Sequence, residues 1–279
     1  MPPTNPSSAK SCSPSESTSH ELAYLVAIDV GNTNTVFGLF DGDLLVHEWR
    51  MQTRAGQCAD EIGVTLRNLF ALHGYAHTAV RAAVIASVVP TVVATLREAM
   101  TTYFHVETLV IGPGTRTHMP ILYHNPKEVG ADRIVNAVAA FERYQQGLII
   151  VDFGTATTFD VVSPRGEYMG GAIAPGIGIA ADALFQRTAK LPRVELTAPG
   201  QALGRSTVTS IQAGLIYGYA GLVDTLVDRL RNEVDFTPLC IATGGLAPLM
   251  AQESRAIAHV EPHLTLIGLR LLWRRNASI

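Results

Sequence analysis

Asp29-Val30-Gly31-Asn32-Thr33-Asn34-Thr35 ends one apolar run, and Asp152-Phe153-Gly154-Thr155-Ala156-Thr157-Thr158 ends another, 123 positions later (29 to 152). Each stretch sets an acidic residue at the mouth of a strand, then a glycine, then short hydroxyl or amide side chains. That set suits a nucleotide's phosphates: a carboxylate attracts the accompanying cation, glycine allows close backbone approach, and Thr and Asn supply compact donors. One such turn is weak evidence, because Asp and Gly end many strands for reasons of turn geometry alone. Two of them at matching places in two matching halves carry far more weight.

Outward from the first turn the pattern predicts strands over 24–30, 35–40 and 43–51, the last two joined by the hairpin signal Asp41-Gly42. A helix over about 58–73, a strand over 82–89, a helix opened by Pro90, a strand over 107–111 and a helix from about Gly130 follow. Around the second turn the order recurs. Strands over 148–152, 156–162 and 167–173 lead to helices at about 177–188 and 207–231. Strand 239–242, helix 246–252, strand 256–260 and a closing helix over 264–274 complete it. Three antiparallel strands feeding alternating helices and parallel strands, made twice, predict an α/β protein of two units, 23–145 and 146–279. Each unit has a mixed five-stranded sheet, and a cleft lies between them. A third turn, Ala242-Thr243-Gly244-Gly245-Leu246, falls after a strand of the second half, where paired glycines admit a flat base or ribose.

Composition narrows the partners. The 279 residues, 47% of them hydrophobic, suffice for two cores, and a net charge of −3 from 21 basic and 24 acidic residues gives no footprint for nucleic acid or an anionic membrane. A small molecule is the expected partner. Cys12, Cys58 and Cys240 are odd in number and far apart, without metal-site spacing, which points to a reducing cytoplasm. Residues 1–20 hold seven Ser and four Pro with almost no apolar side chains, so 1–22 reads as a disordered tail without the apolar core of a signal peptide. The longest apolar stretch, Ala82 to Leu96, is interrupted by Pro90 and too short for a bilayer. Gly176-Ile177-Gly178 imitates a dinucleotide fingerprint but follows the third strand of a meander, and His118 and His124 lack a partner pair for zinc.

Five segments together resemble one family. They are Asp29 to Val36, Tyr123-His124-Asn125-Pro126-Lys127-Glu128-Val129-Gly130-Ala131-Asp132-Arg133, Asp152 to Thr158, Gly204-Arg205-Ser206-Thr207 and Ala242 to Gly245. In this order they resemble the actin, hexokinase and Hsp70 superfamily of ATP-dependent phosphotransferases, and within it the type III pantothenate kinases, over Leu25 to Asn276. The resemblance implies duplicated actin-like (ribonuclease H-like) domains and transfer of the γ-phosphoryl of ATP to pantothenate, the first step of coenzyme A biosynthesis. It implies Asp132 as general base, with Tyr123, Gly130, Ala131, Asp132, Arg133 and Thr207 on the substrate. The first loop, Asp29, Val30, Gly31, Asn32, Thr33, Asn34, Thr35 and Val36, together with Thr155, would bind ATP. Asp29 would face magnesium, mostly through water, as that reluctantly dehydrated ion requires. Asp152 would hold a monovalent cation, potassium or ammonium. Family members are homodimers, which makes a homodimer the expectation. Two other readings stand beside this one: a non-catalytic nucleotide-binding regulator of the same family, and a sugar or acetate-type kinase of the same superfamily. The intact Asp132 and the absence of a basic patch speak against the regulator, and the segment Tyr123 to Arg133 separates the sugar or acetate-type kinase from the first reading.

The residues themselves carry blander meanings. An Asp in a first helical turn serves the helix dipole, a lone Tyr is an ordinary half-buried aromatic, and Ser206 or Thr207 is a natural helix N-cap.

Overall fold

The computed structural model describes residues 23–277, so the expected tail at 1–22 lies outside the described residues. Strands β1 (Tyr24–Val30), β2 (Asn34–Asp41) and β3 (Leu44–Gln52) form a meander, followed by α1 (Ala59–Leu72), β4 (Val80–Ser87), α2 (Pro90–Phe104) and β5 (Thr108–Val110). Helix α3 (Ala131–Tyr144) then leads to a second meander, β6 (Leu148–Phe153), β7 (Ala156–Val162) and β8 (Tyr168–Pro175). After it come α4 (Ile177–Arg187), α5 (Thr207–Asn232), β9 (Leu239–Thr243), α6 (Ala247–Glu253), β10 (His259–Val260) and α7 (Leu264–Ala277). The first sheet is ordered β3-β2-β1-β4-β5 and the second β8-β7-β6-β9-β10. In both, the first strand of the half runs antiparallel to the second and parallel to the fourth, so the two sheets share one topology.

The repeat is not perfect at the ligand turns. Val30 pairs with Thr35 across the first, whereas Phe153 pairs with Thr157 across the second, which makes the second loop one residue shorter. Strand β10 is also far shorter than the predicted 256–260. Ala256 donates its N–H to Asp224 Oδ1 at 3.1 Å, tying that residue to α5 instead of to a strand neighbour.

Five layers stack through the molecule. Helices α1 and α2 cover the outer face of the first sheet, through Leu66, Phe70, Leu96 and Met100 against Ile28 and Phe37. Helices α5 and α6 cover the outer face of the second, through Leu215, Val223, Val227 and Met250 in one core with Ile149 and Val151. Between the sheets lie α3 and α7, whose Val135, Val138, Leu266, Leu269 and Leu272 share one core with Leu25, Ala27 and Val84 of one sheet and Leu148, Ile150 and Val162 of the other. The middle of α3, Arg133 to Ala140, is accordingly buried on every side, while its last turn carries the exposed Glu142 and Arg143. Helix α7, the last element of the second half, packs on α3 and on β1, β2 and β4 of the first half. Gly268 makes this contact possible, since a Cβ there would sit 2.3 Å from the Val135 carbonyl oxygen. The two polar residues buried in α3, Arg133 and Asn136, are the exceptions that point at the site.

Candidate active site

Asp29 lies next to last in β1, and the chain behind it turns at once: Gly31 N–H donates to the Asn34 carbonyl at 3.0 Å. Thr53, just past β3, braces this loop. Its N–H bonds the Thr33 carbonyl at 3.0 Å and its hydroxyl the Gly31 carbonyl at 2.8 Å, while the Thr35 hydroxyl lies 2.9 Å from that of Thr53. Thr53 has no counterpart among the residues singled out in the sequence. Val30 and Thr35 are buried in this frame, Val36 is half-buried, and Asn32, Thr33 and Asn34 are exposed at the tip. In the second loop Gly154 N–H bonds the Ala156 carbonyl at 3.1 Å, leaving Gly154 and Thr155 exposed. The two tips meet: the Thr33 and Thr155 hydroxyls lie 3.4 Å apart. The third turn closes on the same place. Gly244 has φ of +90°, and a Cβ there would fall 2.6 Å from Asp152 Oδ1 and 2.7 Å from the Phe153 backbone, so only glycine fits.

Asp132, in the first turn of α3, accepts the Arg133 backbone N–H at 2.9 Å and is half-buried. Its charge acts on both strand-end carboxylates. Asp29 is pushed from its ordinary 3.8 to about 7, first by burial and then by Asp152 and Asp132, with Arg50 pulling the other way. Register places Asp29, Val36 and Arg50 side by side across β1, β2 and β3, on one face of the sheet. Asp152 is likewise pushed to about 7, by burial, then Asp132 and Asp160, against a hydrogen bond from Asn136. Carboxylates raised by one another, with short hydroxyls and glycine turns beside them, fit a site that takes cations together with phosphates. Among the described residues no three His, Cys, Asp or Glu side chains form a direct chelating cage.

Arg133 does not extend into the opening. It is 7% exposed, and its Nε donates to Asp160 Oδ1 at 2.7 Å and its Nη2 to the Phe159 carbonyl at 3.4 Å. The hydroxyl of the fully buried Tyr168 donates to the same Asp160 oxygen at 2.6 Å, and Thr158 to the other at 3.3 Å. Burial lifts Asp160 to about 6, and Arg133 and Tyr168 keep it from rising further. The guanidinium carbon lies 5.9 Å from the Tyr168 ring centre, and the Tyr123 ring 6.4 Å from it on centroids. Arg133, Tyr168 and Tyr123 thus form one cluster, the two rings tilted at 53°, that ties the loop before α3 to β7 and β8. A lone acid inside the apolar strand run Phe159-Asp160-Val161-Val162 was the available signal for this ion pair. For Asn136 the signal was its place four residues, one helical turn, beyond Asp132.

Thr207 sits apart from the three carboxylates. As the first residue of α5 it lines an open cavity of about 820 Å³ with Leu184, Arg205, Ser206 and Ile211, and none of Asp29, Asp132 or Asp152 borders that cavity. Ser206 is the N-cap: it accepts the Thr209 N–H at 3.2 Å and gives its own N–H to the Thr209 hydroxyl at 3.0 Å. The Thr207 hydroxyl is left for another role.

Two meander-led sheets with acidic turns facing each other make this a duplicated actin-like α/β protein. Solved structures agree on the fold. A Campylobacter jejuni protein described provisionally as a Baf family transcriptional activator has a TM-score of 0.57 at 17% identity, covering 91% of this chain and 100% of its own. A Sinorhizobium meliloti protein described provisionally as a 2-dehydro-3-deoxygalactonokinase has a TM-score of 0.56 at 13% identity, covering 92% and 98%. The family model for type III pantothenate kinases matches residues 25–229. Relatives named type III pantothenate kinase share 56% identity over 252 residues in Anaeromyxobacter (90% of this chain, 99% of theirs) and 54% over 253 in Syntrophus aciditrophicus (91% and 100%). The chain belongs to the type III pantothenate kinase family.

Proposed function

We propose that this chain transfers the γ-phosphoryl group of ATP to the primary hydroxyl of pantothenate, giving 4'-phosphopantothenate, the entry to coenzyme A. The observation that supports it most is the convergence of Asp29, Asp132 and Asp152 at the mouths of two facing glycine turns. Asp132 accepts the proton of the attacking hydroxyl, and Asn32, Thr33 and Thr155 offer hydroxyl and amide donors to the phosphates from both sides. Asp29 and Asp152 are the residues that would hold magnesium, through water, and potassium or ammonium, and those ions supply the positive charge that the loops lack. Phosphoryl transfer demands positioning and charge compensation more than covalent chemistry, and a cleft framed by backbone turns meets that demand.

Tyr123 shapes the acceptor side and Arg133 braces it from behind through Asp160 and Tyr168, while Thr207 would reach a substrate only from its separate cavity. We also read the units as 23–145 and 146–279, with α7 strapping the second to the first, and the working state as a cytoplasmic homodimer. Ile173 on β8, Ile179, Leu184 and Phe185 on α4, and Val208 on α5 are large apolar side chains left exposed, Leu184 on the wall of the Thr207 cavity, the kind of surface a second copy covers. Among the described residues no helix is long and apolar enough to cross a membrane.

The decisive experiment is a coupled ADP-release assay over a panel of small hydroxyl acceptors. Pantothenate should be the acceptor used, and Asp132→Asn should lower kcat by about 10²–10⁴-fold with ATP binding nearly intact. Near-normal turnover of that variant ends the assignment of Asp132 as base, and turnover with a sugar in place of pantothenate ends the functional reading.

A further inference from the structure

Asn136 is 1% exposed in the middle of α3, and both ends of its amide are engaged. Its Nδ2 donates to Asp152 Oδ2 at 3.0 Å, and its Oδ1 accepts the hydroxyl of Thr265, in the first turn of α7, at 2.8 Å. An amide set against a carboxylate must turn its nitrogen toward it, and the Thr265 hydroxyl secures that orientation from the other side. One carboxylate oxygen of Asp152 is therefore held by α3, backed by α7. The other, Oδ1, faces the ligand turns: a Cβ built on Gly154 would lie 3.6 Å from it and one on Gly244 2.6 Å. The neighbouring elements α3 and β6 and the distant α7 thus set the rotation of a single carboxylate group.

We propose that Asn136, backed by Thr265, is a positioning residue for phosphoryl transfer: it locks the Asp152 carboxylate so that Oδ1 is presented to the cation and phosphates between the Gly154 and Gly244 turns. The proposal rests on the reading of Asp152 as a cation-holding residue. Asn136 touches no reacting atom in this scheme and acts only through Asp152. Groups that orient a metal-holding side chain in this way are typically worth about 10–100-fold in affinity or activity. Asn136 also stands one helical turn from Asp132, so the helix that carries the base carries the residue that aligns the cation site.

The test is a mutant cycle. Asn136→Ala should lower kcat by about 10–100-fold while KM for ATP and pantothenate changes less than about threefold, and the half-activating potassium concentration should rise by about tenfold. Independently of turnover, the rise in Tm that wild-type protein shows in potassium chloride relative to choline chloride should be lost. On the residual turnover of Asp152→Asn, adding Asn136→Ala should cost less than about twofold, because the residue it aligns is already gone. Thr265→Val should show the same pattern more weakly and Thr265→Ser should restore it, which decides the matter if Asn136→Ala does not fold. Additive losses in the cycle, or a wild-type potassium response in both Asn136→Ala and Thr265→Val, overturn the proposal. Wild-type turnover and potassium dependence in Asp152→Asn would instead overturn the reading of Asp152 beneath it.

Discussion

Asp29 shows what the site costs the fold. Its carboxyl is raised from 3.8 to about 7, because the chain buries it beside Asp152 and Asp132, and Arg50 offsets only part of that. The folded state therefore holds a proton that the unfolded chain has already released over most of that interval. The penalty is absent below about pH 4, grows as pH rises, and is complete above about pH 7. Asn at this position keeps the shape and removes the charge. In nucleotide-free protein Asp29→Asn should raise Tm by roughly 2–4 °C at about pH 8.5 and by much less at about pH 5, while abolishing turnover. Calorimetry at the two pH values checks this, and a variant that melts lower than wild type at the higher pH contradicts it. At the same scale, the legible part of the site was the acidic turns, since Asp, Gly and Thr in sequence already limit what a strand end can do. Thr53, Asn136 and Asp160 were hidden because each acquires meaning only from a partner 16 to 27 positions away or across a sheet.

At the scale of elements, α3 and α7 decide how the two sheets meet. Gly268 is a helix-interior glycine that lies against the Val135 carbonyl, whereas a Cβ at Gly221 of α5 would meet nothing within 4 Å. Helix propensity alone favours alanine at both positions by about 1 kcal/mol. At Gly268 the clash with backbone should outweigh that gain and destabilise by about 1–3 kcal/mol, while Gly221→Ala should stabilise by up to about 1 kcal/mol. Urea unfolding of the two variants tests the pair, and equal effects would show that α7 is not clamped against α3 as described. The elements themselves were legible from periodicity, Pro90 and the Asp41-Gly42 turn. The predicted strand at 256–260 was not reduced correctly, because Asp224, thirty-two residues upstream of Ala256, claims the N–H that a strand would need.

For the whole molecule, both sheets share their inner core through α3 and α7, so movement of one sheet relative to the other must pass through α3, which carries Asp132 and Asn136, and through α7 packed on it. The exposed apolar residues of β8 and α4 belong to this scale too. Sedimentation should find two copies in wild-type protein, and Ile179→Glu should shift it to one copy with an unchanged circular dichroism spectrum. A wild type that sediments as a monomer removes the homodimer from the reading.

Sequence alone determined the duplicated topology, the two acidic phosphate-type turns and the family, because these depend on residue type and short-range order: which side chains flank a glycine, and where apolar alternation starts and stops. Tertiary structure decided how the three carboxylates share one electrostatic environment, that Arg133 is committed to Asp160, and that Thr207 opens onto a separate cavity. Those facts are long-range, set by how two sheets close over α3 and α7, and burial and charge coupling exist only once that closure has brought distant residues together.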